Sequence, residues 1–239
     1  NVVAVLPGTA KADEFIVFSA HYDHLGVKPG SHFKNEDTIF NGADDDASGT
    51  TAVLQLAEYY TKQINEGKQN NNQRSIIFAA FTAEEIGGFG SKYFSQQLNP
   101  DDVVAMINIE MIGKPSKFGA GTVWMTGMER SNLGALLNEK LASIDKKIYQ
   151  DPYPEQGLFY RSDNATLARL GVPAHSFSST QLDKDQHYHK TSDDISSLDL
   201  SSMHKVIESL ATATQSLVDG EVTPTRVDKA KVRAKGKIY

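Results

Sequence analysis

Apolar and polar positions follow two rhythms along this chain. Short, mostly apolar runs at residues 2–6 (VVAVL), 15–20, 75–81 (SIIFAAF), 103–109 (VVAMINI), 122–126 (TVWMT) and 172–177 have the length of strands buried in a sheet. The first is closed by Pro7-Gly8, a turn signal. Elsewhere the period lengthens. Ala52, Val53, Leu56, Ala57 and Tyr60 recur at helical spacing, which predicts a helix capped by Ser48 and running to about Asn65. Further helices are predicted near 131–142, 164–170 and 199–218. Residues 27–40, the polar segment QINEGKQNNNQ and the Pro- and aromatic-rich DPYPEQGLFY read as loops, the last placed to form a lid or pocket wall. Strands alternating with helices imply an α/β sheet, and 239 residues without internal repeats fit a single domain spanning 1–239.

Charged residues stand where these apolar runs stop. His21, Glu84, Glu85 and Glu110 each fall just past the carboxyl end of a predicted strand, and His189 lies in the loop after a fourth. Open α/β sheets place their sites outside the carboxyl ends of their strands. The stretch HYDHLG from His21 and the stretch NGADDDASG from Asn41 concentrate imidazoles and carboxylates. In extended backbone His21 and Asp23 share a face, so Asp23 is placed to orient the ring. Three adjacent aspartates repel one another. A helix N-terminus accounts for one or two of them, and a cation among them accounts for all three. Glu84 and Glu85 follow a strongly apolar strand and can divide labour, one ligating a metal and one moving a proton. The GGFGS that follows permits a tight turn. His187 and His189 gain weight only as part of this ensemble. Two divalent ions bring four positive charges, and three carboxylate ligands plus one hydroxide offset them. Carboxylate and imidazole donors without thiolate suit zinc.

Composition narrows the picture. With 24 Lys+Arg against 30 Asp+Glu the formal charge is −6, which argues against nucleic acid as a partner. The chain has no cysteine, so disulfides, thiolate zinc sites and thiol nucleophiles are excluded. No apolar run approaches the roughly 18 residues of a membrane span. Starting at Asn1 without methionine, the chain reads as a mature or trimmed fragment. Six basic residues between Arg226 and Lys237 read as a solvated tail over about 222–239. His-Glu-x-x-His helices, Gly-x-Ser-x-Gly elbows and phosphate-binding Gly-rich loops are all missing. The sequon at Asn164 carries little meaning, since that asparagine belongs to a motif described next.

HYDH, GADDDASG, TAEEIG, NIEM, the Ser162-Asp163-Asn164 segment and HKTSDD stand in the order found in the co-catalytic zinc exopeptidases, a family typified by secreted bacterial leucyl aminopeptidases, and the set resembles that family over residues 21–194. The resemblance implies a three-layer α/β/α sandwich around a mixed, largely parallel sheet. It implies two zinc ions per chain, with His21 and Glu110 holding one, Glu85 and His189 the other, and Asp45 bridging them. Asp45 matches because the family's bridging aspartate stands three residues before the Ser-Gly that opens the helix. His189 matches because the family's last histidine stands four residues before an aspartate, here Asp193. Asp23 then orients His21, and Glu84 is the general base that takes a proton from the water between the ions. Glu110 departs from the commoner aspartate. The implied activity is removal of N-terminal residues from peptides with a free amino terminus, in a secreted or periplasmic protein. Met111, Tyr160, Arg161 and Phe177 are expected at the substrate, with Trp124, Met125 and Phe159 as further pocket or core residues. Alternatives on the same scaffold are a single-zinc glutaminyl cyclase, a carboxypeptidase using Arg161 for the substrate carboxylate, and a metal-free interaction domain.

Overall fold

In a computed structural model, residues 1–27, 37–65 and 72–233 are described. The elements in chain order are β1 (Val2–Leu6), β2 (Lys11–His21), β3 (Gly26–Val27), β4 (Ile39–Phe40), α1 (Gly49–Asn65), β5 (Arg74–Phe81), α2 (Phe89–Gln96), β6 (Val103–Ile109), β7 (Val123–Met125), α3 (Leu133–Leu141), β8 (Ile148–Gln150), α4 (Asn164–Ala168), β9 (Ala174–Ser178) and α5 (Leu200–Val218). Seven strands form one sheet in the order β1-β5-β2-β6-β9-β7-β8, and β3 pairs with β4 in a small ribbon. The central block β5-β2-β6-β9 is parallel, while β1 joins β5 and β7 joins β9 antiparallel. This is the mixed, largely parallel sheet that the sequence led us to expect.

Strands buried on both faces explain the unbroken apolar runs. Along β2, Ile16, Phe18 and Ala20 pack toward α1, α3 and α5, whereas Val17 faces the layer formed with α2 and α4. On α1 the spaced residues Ala52, Val53, Leu56 and Tyr60 are all buried against the sheet. The helix opens differently from expectation. Ser48 Oγ accepts a hydrogen bond from the Ile112 amide (2.9 Å), and the carboxylate of Asp46 takes the Gly49 amide instead (3.1 Å).

Three further departures have local causes. Helix α2 buries mainly Gly90, Ser91 and Ser95 around Phe94, so its inner face has no apolar period to read. Strand β8 is three residues long, too short to announce itself. The C-terminal segment, as far as Arg233, is not a solvated tail. Arg226 donates to the carbonyls of Val103 and Pro100, and Val227 and Val232 are buried. Buried Arg74 binds the same segment through the Val222 carbonyl and Thr223 Oγ1, as well as Glu14 and the Leu217 carbonyl. Most of the predicted 27–40 loop and the centre of QINEGKQNNNQ lie outside the described residues.

Candidate active site

Strand register sets the site. His21, the last residue of β2, is level with Phe81 of β5, and Ile109 of β6 is level with Phe177 of β9. Glu84 and Glu85 therefore emerge beside His21, and Glu110 emerges on its other side. The backbone turns sharply at these points. Ala83 (φ 60°), Met111 (φ 52°) and His189 (φ 56°) are non-glycine residues in the left-handed region, adjoining Glu84, adjoining Glu110 and within the site itself. Such conformations cost about 1–3 kcal/mol each and persist where surrounding contacts fix them.

The three aspartates have three separate fates. Asp44 accepts the Gly113 amide (2.7 Å) and Thr180 Oγ1 (2.6 Å) and lies near Lys114. Asp46 accepts the amides of Gly49, Met111 and His21 at 3.0–3.3 Å. Asp45 alone turns its oxygens to the two histidines. Its Oδ1 lies 3.1 Å from His21 Nε2 and its Oδ2 lies 3.2 Å from His189 Nε2. Glu110 Oε1 is 3.4 Å from His21 Nε2, and Glu85 Oε2 is 3.2 Å from His189 Nε2.

Proximity alone also groups Asp46 with His21 and Glu110. We favour Asp45 at that position, because the Asp46 oxygens are already taken by amide donors.

Do these residues fit a metal pair? His21 Nδ1 lies 3.0 Å from the main-chain carbonyl of Asp23, an atom that can only accept. Nδ1 thus carries a proton, and Nε2, facing two carboxylates, is the nitrogen that would bind a metal. His21 Nε2 and Glu85 Oε1 are buried without a hydrogen-bond partner. Donors bound at zinc distances in a tetrahedron lie roughly 3.3 Å apart, and the four separations above cluster around that value. The donor set would fit metal ions, with His21, Asp45 and Glu110 on one side and His189, Asp45 and Glu85 on the other.

Charge tells the same story. Burial, then the Glu110 carboxylate, pushes Glu84 up to about 10. Burial likewise lifts Asp163 to about 7. Asp45 moves the other way. Burial opposes its ionisation, but the adjoining His189 and His21 rings hold its carboxyl well below the usual range. Hydrogen bonds to Asp45 and Glu85 raise His189 to about 9. The centre holds more carboxylate than its own side chains neutralise.

Asp23 differs from expectation. Its carboxylate is 3.7 Å from His21 Nδ1 and instead receives the amides of Glu84 (3.1 Å) and Glu85 (3.3 Å). It fixes the turn carrying both glutamates, while its carbonyl orients the histidine. Glu110 is held by Ser162 Oγ, which accepts in turn from Asn108 Nδ2 (2.7 Å). Asn164 accepts from Ser176 Oγ within the same buried network. His187 is tied to the Ser192 carbonyl (2.8 Å). His24, to which the sequence reading assigned no role, enters the cluster with Nδ1 2.6 Å from Glu85 Oε1.

Beside Glu110 opens a cleft of about 250 Å³, lined by Met111, Trp124, Leu158, Arg161, Leu182 and Tyr188 among others. Met111 and Arg161 line it. Phe177 does not; it is wholly buried on β9, because its neighbours Ser176 and Ser178 take the cleft-facing positions. Tyr160 is also outside the lining. It packs edge-on to Phe159 and under the guanidinium groups of Arg130 and Arg233. Met125 and Phe159 are core residues.

Among relatives, leucine aminopeptidase 1 of Pyrenophora tritici-repentis is 30% identical over 210 residues, covering 85% of this chain and 51% of that protein. Leucine aminopeptidase 1 of Neurospora crassa is 28% identical over 198 residues, covering 81% and 47%. The chain thus spans about half the length of the curated relatives it matches. The fold is shared with the Legionella pneumophila LapA aminopeptidase (TM-score 0.69, 24% identity, 91% of this chain and 54% of that one). It is shared equally with the Porphyromonas gingivalis glutaminyl cyclase (TM-score 0.64, 20% identity, 92% and 77%). A family model, Peptidase family M28, matches residues 1–214. With that match over most of its length, the chain belongs to peptidase family M28.

Proposed function

We propose that the chain carries the two-zinc centre of an aminopeptidase that removes residues from the free amino terminus of peptides. The observation that carries this reading is the placement of Asp45, with one oxygen toward His21 and the other toward His189. Each pair is completed by a second carboxylate, Glu110 or Glu85.

Two dications bound there supply a Lewis acid for the scissile carbonyl and lower the pKa of a bound water toward ~7. The protein does the rest. Glu84, buried beside the centre, is the proton carrier, ionised once the dications are bound, taking a proton from the attacking water and giving it to the departing amine. The Asp23 carboxylate fixes Glu84 through its amide. Carboxylates of the centre bind the substrate ammonium, and Met111, Trp124, Leu158 and Leu182 receive an apolar side chain. The names of the curated relatives support an apolar first residue.

A panel of aminoacyl chromogenic amides tests this. Leucyl amide should be cleaved and its N-acetylated form left intact. Cleavage of N-blocked peptides from the carboxyl end would favour a carboxypeptidase, for which Arg161 in the cleft is the available cation. Formation of pyroglutamate from glutaminyl peptides without amide hydrolysis would favour a cyclase.

A further inference from the structure

His24 is the one imidazole at the centre that the reading above leaves unused. Its side chain is 7% exposed, and both ring nitrogens lack a hydrogen-bond partner. A buried neutral imidazole normally satisfies at least one nitrogen, so two orphaned nitrogens beside carboxylates call for a ligand. Nδ1 lies 2.6 Å from Glu85 Oε1 and 3.9 Å from Asp45 Oδ2, without the alignment of an N–H···O bond to either. His24, Asp45 and Glu85 thus form a group whose donor atoms all lie within 4.8 Å of one another. The His189 ring stands edge-on, 5.7 Å away between centroids.

The ring is held there by its neighbours. Gly42, at φ 62°, packs against it so closely that a Cβ would come within 2.6 Å of His24 Cγ. That glycine begins the segment delivering Asp45, so the ring and the bridging carboxylate are positioned together.

We propose that His24 is a direct ligand of the second metal position, through Nδ1. This rests on the two-zinc reading. The second position is then held by His24, His189, Asp45 and Glu85, and the first by His21, Asp45 and Glu110. The asymmetry has a chemical meaning. Four protein donors close a tetrahedral zinc site, whereas three leave a position for water or substrate. Of these ligands only Glu110 lines the cleft. The first position therefore faces substrate, and the second is a tightly held anchor.

The test is nuclear magnetic resonance of the protein labelled with nitrogen-15 in histidine and loaded with cadmium-113. One-bond coupling between cadmium and a ring nitrogen requires a coordinate bond. Coupling is expected at His21, His24 and His189, each ring assigned through its bonds to the backbone. Coupling at His21 and His189 alone would overturn the His24 assignment and leave the two-metal reading standing. Absence of bound cadmium would overturn both. In a second measurement, His24→Asn should weaken the tighter cadmium by at least tenfold in competition with a chromogenic chelator. His187→Asn should leave it unchanged. Equal affinities in the two variants would count against the proposal.

Discussion

Two acidic clusters lie side by side in this molecule, and they obtain positive charge differently. Around Lys114, the carboxylates of Asp185, Asp44 and Asp193 lie 2.9, 3.4 and 3.6 Å from one ammonium. Each also accepts protein N–H or O–H groups: Asp185 from His187 and Tyr188, Asp44 from Gly113 and Thr180, and Asp193 from Asp44 and Asp45. The neighbouring cluster contains Asp45, Glu85 and Glu110, and it meets His21 and His189 through their Nε2 atoms. Its donor atoms lie at ligand spacing, and the only positive charge its own side chains bring is that of imidazoles. The first cluster is gathered on a lysine, and the second on groups that could hold metal ions. Asp193 links the two, since its carboxylate grips the Asp44 and Asp45 amides from the loop that carries His189.

The sharpest way to break this contrast is at Glu84. If it moves protons and holds no metal, Glu84→Gln should lower kcat by about 10³-fold while retaining both zinc equivalents. Loss of zinc in that variant would make it a ligand. Metal removal comes next. Zinc at 1,000 times its dissociation constant should stabilise the stripped protein by about 4 kcal/mol per site, read as a rise in thermal midpoint. Lys114→Met should destabilise by about 3–5 kcal/mol in urea denaturation, because three carboxylates lose their shared cation. Added zinc should not restore that loss. A full rescue by zinc would show that the two clusters are one.

A smaller effect comes from His175, away from both clusters. Its Nδ1 donates to the Thr126 carbonyl (2.8 Å), and its Nε2 lies 2.8 Å from Ser131 Oγ. Burial chiefly, with Arg130 nearby, depresses its pKa to about 4. Below its unfolded pKa the unfolded chain binds the extra proton. This contribution is therefore present above pH ~6.5 and is lost as pH falls through about 4, on the order of 3 kcal/mol in all. His175→Gln should show a flatter acid limb between those pH values. An unchanged limb would mean that the imidazole is protonated in the fold.

How much of this the sequence disclosed depends on the distance over which each feature is determined. Strand ends were legible, because apolar runs such as VVAMINI stop abruptly at a charge that a core has no use for. The roles within Asp44-Asp45-Asp46 were not legible from chemistry. Which aspartate faces the histidines depends on amides contributed by Gly113 and Met111, more than sixty residues away. Family spacing had singled out Asp45, where composition could not. For Asp23 the sequence could not tell that its carbonyl would stand closer to the His21 ring than its carboxylate, which takes the Glu84 and Glu85 amides. Phe177 and Trp124 both look like pocket residues in sequence, and only strand register separates the buried one from the lining one.

Metal content measured on the purified protein bears most directly on the central claim. Elemental analysis after dialysis should give two zinc ions per chain, and Asp45→Asn should reduce that number while Lys114→Arg should not. A wild-type chain that retains full peptidase activity in excess chelator with no bound metal would contradict the account.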